Sequence, residues 1–104
     1  RAQGAFPDDA DIARELGMVH EARREPNEAL EAYQRAIAIN PEDAEALFRA
    51  SMLLKQQKAY EAAAEFLERA AKLDATNAET HQQLAAVRAL QLVHGGIEAQ
   101  AVAT

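Results

Sequence analysis

The sequence predicts an all-α fold built from a repeated helical hairpin, and three observations carry that expectation. Of 104 residues, 49% are hydrophobic but only 5% aromatic, and alanine is the commonest type, so the apolar content lies in small side chains that let helices pack closely. Only 4 Gly and 3 Pro punctuate the chain, too few for the frequent turns of an all-β domain. The third observation is internal repetition. A shift of 34 residues lays Ala10 on Ala44, Met18 on Met52, Ala29 on Ala63, Glu31 on Glu65, Arg35 on Arg69 and Ala36 on Ala70. Similar pairs fill the gaps, among them Asp11 with Glu45, Val19 with Leu53, and Arg24 with Lys58. A second shift brings Ala44 and Glu45 onto Ala78 and Glu79, so the period persists.

Each unit divides into two helices. Over residues 9–23, Ile12, Ala13, Leu16, Val19 and His20 recur at three- and four-residue steps and predict one buried helix face. Asp8 is the expected cap, with Asp9 and Asp11 favourably placed at the positive end of the helix dipole. Arg23 and Arg24 close the other end with the complementary sign. Pro26 suits the first turn of the next helix, whose stripe is Ala29, Leu30, Tyr33, Ala36 and Ile37, and Asn40-Pro41 stops it. In the second unit Glu42 or Asp43 is the start signal. Ala46, Leu47, Ala50, Leu53 and Leu54 are expected inward from its first helix, and Tyr60, Ala63, Leu67, Ala70, Ala71 and Leu73 from its second. The third unit keeps a first helix in which Leu84, Val87, Leu90 and Gln91 recur until His94-Gly95-Gly96 ends the run. The expected organisation is therefore an N-terminal extension over 1–8, full units over 9–43 and 44–77, a capping helix over 78–94 and a flexible tail over 95–104. That tail also has a second reading, as the stub of a further helix.

Charge and composition exclude several function classes. Acidic residues outnumber basic ones 17 to 11, a net charge of −6, which repels phosphate backbones and argues against nucleic acid. The absence of cysteine removes thiol nucleophiles, disulfides and Cys-based zinc sites. No apolar run approaches the roughly 18 residues of a membrane span, so membrane insertion is not expected and cytoplasm is the default compartment. The chain starts with Arg1 rather than Met, which leaves a processed product or a piece of something longer as readings.

A hairpin period of this length and pattern resembles the tetratricopeptide repeat family. Unit one supplies Ala13, Leu16-Gly17, His20, Ala29, Tyr33, Ala36 and Pro41 in the family's register. Unit two supplies Leu47, Ala50-Ser51, Leu54, Ala63, Leu67, Ala70 and Ala75, with Tyr60 opening its second helix, and unit three supplies His81, Leu84-Ala85 and Arg88. The resemblance spans residues 9–93. It implies a right-handed helical-hairpin solenoid of two full repeats plus a capping helix, with an uncapped flank at the first helix.

The resemblance also implies a function. In this family the first helix of each unit lines a concave groove that receives an extended peptide or a helix of another protein. Carried over by register, the groove residues are Arg14, Met18 and Glu21 from unit one, with Asp11 and Glu15 beside them. Unit two contributes Glu45, Phe48, Arg49, Met52 and Lys55, and the third helix Gln82, Gln83 and Ala86. Met18, Phe48 and Met52 form an adaptable apolar strip flanked by charge. Filling of core gaps is the alternative role for the two methionines, but Leu and Ala already occupy the core positions. Some members of the family grip a C-terminal carboxylate with Lys and Asn. Here Met18 stands where a donor is wanted and Glu79 where a cation is wanted, and Arg14 and Arg49 are expected to be solvated or paired with Glu15 and Glu45.

Other chemistry is not expected. His20 and His81 occupy places of large aromatics and are read as packing residues, His94 lies at a helix end, and no two histidines share a metal-ligand spacing. Phe66 is expected to pack beneath the capping helix, with an exposed patch as the alternative. No enzyme activity, cofactor or metal is expected. The leading expectation is a scaffold or adaptor module for a protein or peptide partner, with Met18, Phe48 and Met52 for apolar contact and Arg14 and Arg49 for charge, since a guanidinium can grip an acidic group. The alternatives are a structural unit that self-assembles as a homo-oligomer through its uncapped ends, and the docking fragment of a larger protein such as a secretion chaperone.

Overall fold

A computed structural model describes the backbone of residues 9–103 and the side chains of residues 9–93. The described residues form five helices: α1 (Ala10–Ala22), α2 (Pro26–Ile39), α3 (Ala44–Gln56), α4 (Tyr60–Leu73) and α5 (Ala78–Ala103). Each helix packs on its neighbours in chain order, α1 on α2, α2 on α3, α3 on α4 and α4 on α5. Local chemistry at the helix ends repeats with the sequence. Asp9 accepts a hydrogen bond from the Asp11 amide at 2.8 Å, Asp43 from that of Ala46 at 3.1 Å, and Asn77 from that of Thr80 at 3.1 Å, so α1, α3 and α5 each begin on a side-chain cap one period apart. The cap of α1 is therefore Asp9; Asp8 lies outside the described residues. Helix α2 opens on Pro26, whose missing amide costs nothing in the first turn.

The turns inside the two hairpins use the left-handed backbone region without glycine. Arg24 has φ 62° and Lys58 φ 64°. In the first turn the Glu25 amide donates to the His20 carbonyl at 2.9 Å and the Arg24 amide to that of Glu21 at 3.0 Å. The second repeats this with Ala59 to Leu54 at 2.9 Å and Lys58 to Lys55 at 3.0 Å. These are paired Schellman closures, which satisfy carbonyls that the helix leaves open.

Two linked cores hold the hairpins together. The first joins Ala13, Ala29, Tyr33, Ala36 and Ile37 to Ala46, Leu47, Ala50 and Leu53, and the second joins Leu54, Ala63 and Leu67 to Val87. Phe66 and Leu30 are half-buried and touch both, so Phe66 is packed rather than part of an exposed patch. Alanine in the contacts lets large residues fit. Tyr33 is fully buried, and its ring occupies the space where a Cβ on Gly17 would stand, 2.6 Å from Cε1.

Several side chains depart from the periodic expectation. Ile12, Leu16 and Val19 are 47%, 44% and 51% exposed, while Ala13 and Gly17 face the hairpin partner. The reason is register: one period on, Ala46, Ala50 and Leu53 are buried against the preceding hairpin, and in the third unit Thr80 and Val87 are buried with Leu84 half-buried. The stripe on α1 is the same surface without a preceding hairpin described against it. Leu73 and Leu90, expected inward, are exposed near the ends of their contacts. Helix α5 also runs through Gly95-Gly96 to Ala103, past the expected stop at His94. Glycine terminates a helix when it takes the left-handed conformation, and no glycine among the described residues has positive φ.

Candidate protein-binding groove

The site is built from α1, α3 and the start of α5, the first helices of successive units. Polar contacts tie them together along one face. Arg14 on α1 donates to Asp43 Oδ2 at 2.7 Å, lies 3.1 Å from Asp11 Oδ1 and 3.7 Å from Glu45 Oε1. Arg49 on α3 donates to Glu45 Oε2 at 3.0 Å and returns to Glu21 on α1 at 3.3 Å. Lys55 on α3 donates to Gln83 Oε1 on α5 at 3.0 Å. These contacts link Arg14 and Glu21 on α1 to Glu45, Arg49 and Lys55 on α3, and Lys55 to Gln83 on α5. Gln82 and Ala86 lie on exposed positions of α5.

Two of these contacts were not legible in the expected pairing. Arg14 pairs with Asp43 rather than with Glu15, because adjacent residues on a helix point apart. Asp43 is both the cap of α3 and the partner of Arg14, and its side chain is 4% exposed, so an ion pair fixes the second unit against the first. Glu21 accepts hydrogen bonds from the Tyr33 hydroxyl and from the Arg49 guanidinium. Burial first, and the hydrogen bond to Glu21 second, raise the Tyr33 phenol far above its usual range.

The apolar strip is shared between surface and core. Met18 is half-buried against the first core, and Phe48 and Met52 against the second. Beside Met18 lies a concavity of about 480 Å³ lined by Arg14, Glu15, Met18, Val19, Ala22 and Glu45. Val19 and Ala22 are additions to the expected lining; their place on the exposed side of Met18 is a helix-face property that the repeat pattern alone did not single out. Phe48 and Met52 do not line this concavity.

The histidines occupy local roles. His20 is half-buried and its Nδ1 lies 2.6 Å from Glu25 Oε1 across the α1–α2 turn. That hydrogen bond, with Arg23 nearby, holds the Glu25 carboxyl below the usual range. His81 is exposed rather than packed, and its Nε2 donates to the Ala75 carbonyl at 2.7 Å. The His94 side chain lies outside the described residues. Among the described residues no group of three or more His, Cys, Asp or Glu is arranged to hold a metal ion, and no helix is long and apolar enough to cross a membrane.

Comparison with known proteins places this geometry. A family model described as the tetratricopeptide repeat matches residues 1–44 and 15–78. No curated protein sequence matches the chain. Two solved structures, both titled as crystal structures of MamA, have the same fold. One superposes with a TM-score of 0.75 at 23% identity over 83% of this chain, the other with 0.79 at 22% identity over 93%. The chain spans 50% and 51% of those two chains, about half their length.

Proposed function

The chain belongs to the tetratricopeptide repeat family, a fold that generally serves as a non-catalytic protein-interaction scaffold, and from that premise we propose that its face of first helices receives a segment of a partner protein. The observation that supports this most directly is the concavity lined by the apolar Met18, Val19 and Ala22 together with Arg14, Glu15 and Glu45. A recess that combines apolar and charged side chains suits an anchor from an incoming chain, with orientation set by the charges. In this reading Met18 makes apolar contact and Phe48 and Met52 extend it along α3. Arg14 and Arg49 shape the face through their ion pairs.

The test is site-specific photo-crosslinking in the native cell extract. A photoreactive residue replaces Ala22, which is exposed and lines the concavity, or Gln34, which is exposed on α2. A defined partner band from position 22, absent from position 34 and lost in Met18→Glu with unchanged helicity, is the expected result. Adducts from position 34 alone defeat the reading.

End-to-end self-assembly is a second reading, supported by the exposed stripe of Ile12, Leu16 and Val19. It requires the mass in sedimentation to rise with concentration and to return to the monomer value in Leu16→Glu. A monomer throughout the micromolar range eliminates it.

A further inference from the structure

Charge on the binding face is not balanced. Both arginines are occupied by this chain's own carboxylates: Arg14 by Asp43, Asp11 and Glu45, and Arg49 by Glu45 and Glu21. A guanidinium held this way offers little to an incoming acid, because taking it away leaves Asp43, nearly excluded from solvent, without its counter-charge. The carboxylates are in excess. Glu15 lines the concavity, is exposed, and has no ion-pair partner among the described residues. Asp11, Glu45 and Glu79 stand one period apart at the same register of α1, α3 and α5 and are exposed; Asp11 and Glu45 share the two arginines, so the excess lies in the balance, with Asp11, Glu15, Glu21, Asp43, Glu45 and Glu79 against Arg14, Arg49 and Lys55. Lys55 is the opposing cation at the far end, and it is hydrogen-bonded to Gln83.

We infer that the segment taken by this face is basic: a stretch of a partner protein carrying Lys or Arg, with an apolar side chain that enters the concavity beside Met18. The apolar anchor supplies the desolvated contact, and the carboxylates select the sign of charge and speed encounter. This inference rests on the binding reading above and specifies the chemistry of its ligand.

A displayed library of random 12-residue peptides, selected at low salt on the chain and counter-selected on Met18→Glu, tests it. The expected winners carry net positive charge and a Leu, Met or aromatic anchor. In fluorescence anisotropy a synthesised winner is expected to lose about tenfold in affinity when its Lys and Arg become Gln, and severalfold on Glu15→Lys. It is also expected to weaken as salt rises. Because Met18→Glu makes the protein still more acidic, loss of binding there separates a ligand seated at the concavity from general attraction to an acidic surface. Winners that are acidic or uncharged yet lost on Met18→Glu overturn the basic-ligand inference and leave the groove reading standing. Winners that bind Met18→Glu equally well, or a failure to enrich any sequence, defeat the groove reading and this inference with it.

Discussion

Gly17 and Tyr33 show how far a single position is determined by its neighbour. A methyl group at Gly17 would stand 2.6–2.9 Å from three carbons of a fully buried ring whose hydroxyl is also tied to Glu21. In an exposed helix Gly→Ala gains about 1 kcal/mol; here overpacking outweighs that gain, and Gly17→Ala is expected to destabilise the chain by about 1–2 kcal/mol. A lowered urea midpoint at unchanged slope is the signature, and a raised midpoint contradicts the packing described. The sequence did mark Gly17 and Tyr33 as motif positions. It carried no sign that Glu21 would accept the Tyr33 hydroxyl hydrogen bond, since that contact joins side chains on two helices whose relative rotation depends on packing. The same limit applies to Arg14, whose partner Asp43 is remote in sequence. At Glu25 the direction of titration follows from the His20 hydrogen bond. A carboxyl held below its unfolded value contributes stability above the ordinary glutamate range and loses it as pH falls through the folded value. An NMR titration is expected to find Glu25 low in the native chain and back in the ordinary range in His20→Ala.

At the scale of the element, periodicity located all five helices, because a stripe at three- and four-residue steps has few alternatives in a chain poor in Gly and Pro. Boundaries depended on subtler chemistry. Asp9, Asp43 and Asn77 cap their helices one period apart, but neighbouring acids such as Asp8 and Glu42 offer the same chemistry in the sequence. Arg24 and Lys58 gave no glycine signal for the left-handed turns they form, whereas Gly95-Gly96 gave that signal and the helix passes through. Lys58 is exposed, so its side chain adds little to offset the strain of φ 64°. Lys58→Gly is expected to raise stability by about 0.5–1 kcal/mol, net of the entropy that glycine loses on folding. Thermal unfolding measures it directly; a fall in midpoint means that the lysine side chain contributes an interaction larger than the strain.

Across the whole molecule, each helix is covered mainly by its neighbours in sequence, so stability is expected to vary along the chain rather than be shared evenly. Helix α3 is packed between α2 of the preceding hairpin and α4 of its own, whereas α1 exposes Ile12, Leu16 and Val19. Native-state hydrogen exchange is therefore expected to show slower exchange in α3 than in α1. Equal protection in the two helices means instead that the stripe on α1 is covered, for example by another molecule. The triads Ala46, Ala50, Leu53 and Thr80, Leu84, Val87, all buried except the half-buried Leu84, answer the same surface of the hairpin before them, though their side chains differ in size. That tolerance makes growth by duplication inexpensive in packing terms: copying residues 44–77 in place adds a hairpin whose entering and leaving surfaces are types the chain already matches. An ancestor gaining units this way lengthens the solenoid by one hairpin per copy while keeping its folding code, so the length of its exposed face can change independently of the packing that stabilises each unit.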